Sequence, residues 1–309
     1  MEKVAMIHPD GIVDRGLSDH ESLEPVPVQL TGNCHYLQCA RIMSEFAELM
    51  GDSSAKEKYE ILADSLKAYL RAEFWDRPRP EKINRQTLFS ALLYHEVVPA
   101  SEIHAARDSL LQALKNGPSE HFNTGIFGTK YVLEALSEYE SPERVYEIVN
   151  STEYPGWGYM IDRGASTIWE TWRESDNTYS NNHPMFGTVT EWFYRWLAGI
   201  RPDPEFPGFE EFVLNPATPV GLDSVNCSYH SPYGQIISNW KREDQNNILY
   251  TMKIPEGSTA RVNLGLGTEQ TIEIQRKGKP VGRDKISGMQ TGRFTLDAGE
   301  FRIRVSNRE

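Results

Sequence analysis

The hydrophobic period of this chain changes at Arg201-Pro202-Asp203-Pro204, and that change constrains the fold more than any other feature. Before it, apolar residues recur at helical spacing; after it, they alternate or gather in β-branched runs. Tyr36, Leu37, Ala40, Ile42, Met43, Phe46, Ala47 and Met50 form one stripe, closed by Gly51. Ser53 or Ser54 is placed to cap a second helix, with Tyr59, Leu62, Ala63, Leu66 and Leu70 on its buried face. A third carries Leu88, Ala91 and Leu92 up to Pro99, and a fourth follows Ser101-Glu102 with Ala105, Leu110, Leu111 and Leu114. A loop with two glycines, 121–129, leads into a fifth helix from Lys130 to about Tyr139, and a sixth starts at Ser141-Pro142. The last runs from about Pro184 to Leu197.

Short loops between such helices predict antiparallel pairs. Polar-aromatic segments recur at alternate junctions, the arrangement of an α/α toroid whose loops line a pocket at one end. No fixed-period repeat supports a helical solenoid instead. Beyond the boundary, segments 209–214, 223–230, 235–241, 248–254, 260–264, 271–274 and 294–305 read as strands, punctuated by Pro232-Tyr233-Gly234, Pro255-Glu256-Gly257 and Ala298-Gly299. Their number and spacing predict an antiparallel β-sandwich. The expected domains are therefore 1–201, helical, and 202–309, β.

Composition excludes several classes. A formal charge of -12 over 309 residues argues against a nucleic-acid partner, which calls for basic stripes. Cys34, Cys39 and Cys227 give neither a disulfide framework nor a zinc signature and read as small buried apolar side chains. No metal or cofactor is expected. No apolar run is long enough to span a membrane, and no signal peptide is visible after Met1.

The stretch with most chemistry is Gly164 to Trp172, followed by Asn181-Asn182-His183-Pro184-Met185-Phe186-Gly187. Glu170 stands between Trp169 and Thr171-Trp172. Large rings strip water from a carboxylate and disfavour its charged form, and indole faces suit the apolar face of a sugar. The competing reading is a buried helical Glu satisfied by indole N–H and backbone donors.

At Trp169-Glu170-Thr171-Trp172 and Asn182-His183 the sequence resembles glycoside hydrolase family 78, the α-L-rhamnosidases. The similarity extends in order through Gly16 to Asp19, Gln86-Thr87, His121 to Thr129, Pro155 to Met160, Gly164 to Trp172, Asn182 to Gly187, Trp192 to Ile200 and Leu214-Asn215-Pro216. The resemblance implies a mainly α chain with β, an (α/α)6 toroid followed by an antiparallel β-sandwich, and hydrolysis of terminal α-L-rhamnosides with inversion. Glu170 matches the family's general base and His183 the histidine that hydrogen-bonds the sugar. Trp157, Trp169, His121 and Asp19 are the further candidates for contacting rhamnose, each set against a packing or loop-anchoring reading. Rhamnose-containing glycans or glycosides are the implied partners.

The chain also departs from the family. The acidic motif Asp-Gly...Arg-x-Glu that carries the general acid is not found, and the predicted helices fall short of six pairs, so a partial toroid is expected. Where many members read Gly-Asp-Trp, this chain has Ser18-Asp19-His20. Glu174, Asp162 and Asp19 are the nearest carboxylates that could serve as acid. Three explanations fit: part of a longer rhamnosidase, a chain completed by a second one, or a non-catalytic carbohydrate-binding or assembly module. The last predicts that the isolated chain, with uncovered apolar helix faces, dimerises, rearranges its helices or is marginally soluble. Localisation follows the parent protein, exported if it carries a signal and cytoplasmic otherwise.

Overall fold

In this computed structural model the described residues are 2–8, 10–78, 82–115, 120–173, 180–282 and 285–307. The chain divides into two compact units, Met1–Val189 and Thr190–Glu309. The first contains helices α1 (Glu2–Ile7), α2 (Val28–Leu49), α3 (Ser53–Phe74), α4 (Arg85–Tyr94), α5 (Ile103–Leu114), α6 (Ile126–Tyr139), α7 (Pro142–Val149) and α8 (Trp157–Asp162). Helix α9 (Thr188–Trp192) carries the chain into the second unit.

α2 packs on α3, α4 on α5 and α6, and α6 on α7, so paired helices are the unit of construction. Side-chain caps start several of them. Asp52, rather than Ser53 or Ser54, accepts the Ala55 N–H at 3.0 Å to open α3; Asn84 and Ser141 do the same for α4 and α7. The α2 stripe is narrower than predicted. Leu30, Cys34, Leu37, Ala40, Ser44 and Ala47 are buried at strict helical spacing, whereas Ile42, Phe46 and Met50 lie on the flank and are exposed. Cys34 is buried and Cys227 half-buried, but Cys39 is exposed, so the cysteines are not uniformly core.

The predicted last helix is not continuous. A 3-10 turn (Met185–Gly187), α9 and a π turn (Phe193–Leu197) follow one another. The π turn closes through Ala198 N–H to Phe193 O at 2.9 Å. It leaves the carbonyls of Trp196, Leu197 and Ala198 to other donors: Ala217 N–H at 2.9 Å, the Trp240 indole at 3.0 Å and Ser238 Oγ at 2.6 Å. Those bonds tie the helix end to the sheet of its own unit.

The second unit is built from β1 (Ile200–Pro202), β2 (Glu211–Leu214), β3 (Ser224–Val225), β4 (Ser228–Ser231), β5 (Gly234–Arg242), β6 (Asn247–Asn263), β7 (Gln270–Arg276), β8 (Lys279–Pro280) and β9 (Arg293–Asn307). The path runs β1-β2-β6-β9-β7-β8, with β5 on the first half of β6 and β3 and β4 on β5. Two predicted strands, 248–254 and 260–264, are one strand, and Pro255-Glu256-Gly257 is the irregularity within it, where the register against β9 shifts between Ile254 and Thr259. Beyond it β6 pairs with β2 in parallel; the other strand pairs are antiparallel. Inward residues of the long strands, among them Ile236, Trp240, Met252, Val262, Leu296 and Ile303, converge with Phe212 and Leu214 on a single apolar cluster.

One titratable group lies in the helical core. His95 is 2% exposed, packed edge-on against Tyr94 and Tyr131, and neither ring nitrogen has a protein hydrogen-bond partner among the described residues. Burial, with His35 and Arg41 adding to it, pushes the imidazole down to about 3. The folded state holds it neutral while the unfolded chain takes up a proton below about pH 6.5. Stability supported by His95 is therefore complete above that pH and lost as pH falls towards 3, at up to about 1.4 kcal/mol per pH unit. Thermal melts between pH 7 and 4 are expected to show a smaller acid loss in His95→Phe than in the unsubstituted chain.

Candidate functional site

Glu170 and His183 are brought together by a loop whose two arms hydrogen-bond to each other. Glu170 N–H donates to Ser180 O at 3.1 Å and His183 N–H to Ile168 O at 2.8 Å, while Thr167 Oγ1 donates to Asn181 O. The backbone bonds satisfy polar groups of a segment with no regular structure of its own and set the two side chains on one side of it. His183 Nε2 lies 3.8 Å from Glu170 Oε1. Its Nδ1 accepts from Met185 N–H at 3.4 Å, which leaves Nε2 to carry the proton in the neutral ring. The Glu170 side chain is 12% exposed, so the carboxylate is accessible yet largely shielded.

A third side chain completes the constellation. His20 Nε2 is 3.4 Å from the same Oε1 and 3.5 Å from Glu21 Oε1. The sequence marks His20 only as a departure from the Gly-Asp-Trp pattern that the resemblance implies; a separation of 150 residues gives no local signal of its contact with Glu170.

His20 is placed by its neighbour. Asp19 is 3% exposed, and its carboxylate accepts four hydrogen bonds: Thr87 Oγ1 at 2.6 Å and Gly125 N–H at 2.9 Å on Oδ2, Phe127 N–H at 2.9 Å and Gly128 N–H at 3.0 Å on Oδ1. These amides are the opening turn of α6, which has no side-chain cap of its own at Gly125. Asp19 thus acts as a cap delivered from a distant loop, at the end of the helix where a negative charge is favoured. Burial pushes its carboxyl above the usual range, while the four donors oppose that shift. The close approach explains Gly125 and Gly128: a Cβ at either would collide with Asp19, with His20 O as well at Gly125 and Thr87 Oγ1 at Gly128. It also explains why α6 begins at Ile126 rather than at the predicted Lys130. Around it Asn84 donates to Ser22 Oγ, Asn123 O and Asn123 Oδ1, and Gln86 bonds Ala113 O, His121 O and Asn123 N–H. Asp19→Ala leaves three buried helix-end amides without their acceptor and is expected to cost about 2–4 kcal/mol, read as a lowered midpoint in urea unfolding.

The tryptophans bind the loops to one another. Trp172 is 1% exposed; its indole donates to Thr124 O at 2.7 Å and its ring packs on Trp157 at 5.1 Å and Phe186 at 4.1 Å between centroids. Trp157 is buried, donates to Phe186 O at 3.1 Å and meets Phe122 edge-on. Trp169 is buried as well, and His121 is half-buried with its carbonyl bonded to Gln86. The structure therefore brings Glu170, His183 and His20 together; the Asp19 carboxylate is spent on α6, and Trp157 is engaged with Phe122, Trp172 and Phe186. Of the acid candidates, Asp162 is exposed at the end of α8, and Glu174 lies outside the described residues. Among the described residues no group of three or more His, Cys, Asp or Glu is arranged to hold a metal ion, and no helix is long and apolar enough to cross a membrane. Trp172→Phe keeps the ring but strands the Thr124 carbonyl, and a loss of about 1–2 kcal/mol in thermal or denaturant stability is expected.

Residues 7–197 match the family described as the bacterial alpha-L-rhamnosidase six-hairpin glycosidase domain, and residues 199–279 the bacterial alpha-L-rhamnosidase C-terminal domain. The chain is 30% identical over 205 residues to an alpha-L-rhamnosidase of Alteromonas sp., covering 62% of this chain and 22% of that protein. It is 25% identical over 268 residues to one from Formosa agariphila, covering 82% and 28%. Among solved structures, an alpha-L-rhamnosidase from Dictyoglumus thermophilum superposes with a TM-score of 0.85 at 25% identity, over 99% of this chain and 36% of that one. One from Streptomyces avermitilis, complexed with L-rhamnose, shares the fold at a TM-score of 0.83 and 21% identity, over 98% and 29%. The chain thus spans under a third of the length of these two curated relatives.

Proposed function

Because the chain belongs to the bacterial alpha-L-rhamnosidase six-hairpin glycosidase family, we propose that it carries the general-base side of an inverting α-L-rhamnosidase site. Glu170 is the base and His183 a hydrogen-bond donor to the sugar. The observation that carries this reading is the shielded Glu170 carboxylate with the His183 ring 3.8 Å away, both fixed by the same two-armed loop.

Inversion requires a carboxylate that takes a proton from water as the water attacks the anomeric carbon, and a second carboxyl that protonates the leaving oxygen from the opposite face. Glu170 suits the first role: it is open to a water molecule yet removed from bulk solvent, and it is oriented by its own backbone bond to Ser180. His183, with Nδ1 engaged by Met185, presents Nε2–H as a donor of fixed direction. Trp169 and His121 are kept as neighbours of the sugar, while Asp19 and Trp157 act one step back, holding the loops. The acid is then Asp162, Glu174 or a group outside this chain, since four donors occupy Asp19. Rhamnose-terminated glycosides are the proposed substrates.

The test is release of the chromophore from an aryl α-L-rhamnoside, with the chain assayed alone and together with the region that precedes this one in its relatives. Glu170→Gln is expected to lower kcat by about 10²–10⁴-fold. An unchanged rate in that variant overturns the assignment.

A further inference from the structure

The geometry points to His20 as a positioning residue for Glu170, one whose own protonation converts the carboxylate from a free base to an ion-paired one. Its Nε2 stands between two carboxylates, 3.4 Å from Glu170 Oε1 and 3.5 Å from Glu21 Oε1. Neutral His20 reaches Glu170 Oε1 with a single long hydrogen bond while Glu21 stands beside it as a charge, so Glu170 keeps lone pairs for water. Imidazolium places a full positive charge beside both. Oε1 of Glu170 is then engaged in an ion pair instead of being free to accept from an attacking water.

The backbone makes this contact a fixed one. His20 O accepts the Ile126 N–H at 2.9 Å and Asp19 is bonded to the next amides of α6, so the imidazole projects from a point locked to a helix N-terminus. Among the described residues, the titratable groups within ion-pair distance of it are Glu21 on its own segment and Glu170 on the opposing loop, and His183 Nε2 lies 3.8 Å from the same Oε1. The Asp19 carboxylate, next in sequence, is turned into α6.

The pairing itself does not depend on the rhamnosidase reading, but its kinetic consequence does, and the experiment separates the two. Imidazole nitrogen resonances of the whole chain are followed by NMR as a function of pH, in the unsubstituted protein and in Glu170→Gln. Removal of the neighbouring negative charge is expected to move the His20 titration curve to lower pH. A His20 midpoint that does not move overturns the proposal, whether or not the chain is active. If hydrolysis is observed, His20→Gln, which keeps a donor but cannot take up a proton, shifts the acid limb of kcat to lower pH. His20→Leu lowers kcat near neutral pH and Gln restores part of it. An acid limb unmoved in His20→Gln, with the fold intact by circular dichroism, also counts against the proposal. Coupled midpoints, with no rhamnosidase activity either in the chain alone or together with the added region, would instead leave the His20–Glu170 pairing standing and remove the function proposed for Glu170.

Discussion

The candidate site hangs on one buried carboxylate. Asp19 takes the place of an N-cap for α6, and the first turn of that helix exists in its present form because four donors converge on two oxygens. Buried carboxylates are costly unless every lone pair is used, and helix-end amides are costly unless accepted. Each of these two liabilities resolves the other. Much else follows from the same contact: glycine at 125 and 128, the position of His20, and the loop carbonyl of Thr124 that receives the Trp172 indole.

The tryptophans then carry that order across to Glu170. Trp172 is two residues from the Glu170 carboxylate and is bonded to the residue before Gly125, so Glu170 and the Asp19 cap are joined through the same packed residues. Trp157 and Phe186 close the cluster, and Phe186 follows His183 by three residues. Packed aromatic rings with satisfied N–H groups are well suited to this work, since they bury large area and lose few rotamers in doing so. Polar groups that act on a substrate gain their precision from such neighbours.

The second unit solves a different problem by similar means. A helix running into a sheet leaves carbonyls without partners, and the π turn at Phe193–Leu197 hands three of them to Ala217, Trp240 and Ser238. The long strands β6 and β9 bend at the register shift near Pro255, and their inward residues meet β2 and β5 in a single core.

Much of the fold was legible from the sequence because it rests on local causes. The stripe Leu37-Ala40-Ala47, the stop at Gly51, the cap at Ser141 and the alternation in β5 and β9 depend on residues a few positions apart, whose periodicity and propensity act before any tertiary contact forms, whereas the third helix ends at Tyr94, short of the stop expected at Pro99. Glu170 and His183 also stood out, as a carboxylate among indoles and a histidine shortly after it. What the sequence could not set was anything made by residues distant along the chain. The start of α6 depends on a carboxylate 106 residues before Gly125, and the His20–Glu170 contact spans 150 residues. The outer flank of α2, where Phe46 and Met50 look like core and are exposed, is decided by where α3 lies. Sequence by itself determined where most of the helices and strands lie, because that follows from short-range sterics and hydrophobic pattern, and it singled out Glu170 and His183 as candidates through their resemblance to a family motif. Only the tertiary structure decided which polar groups meet, because a hydrogen bond between distant segments is specified by the packing of everything between them.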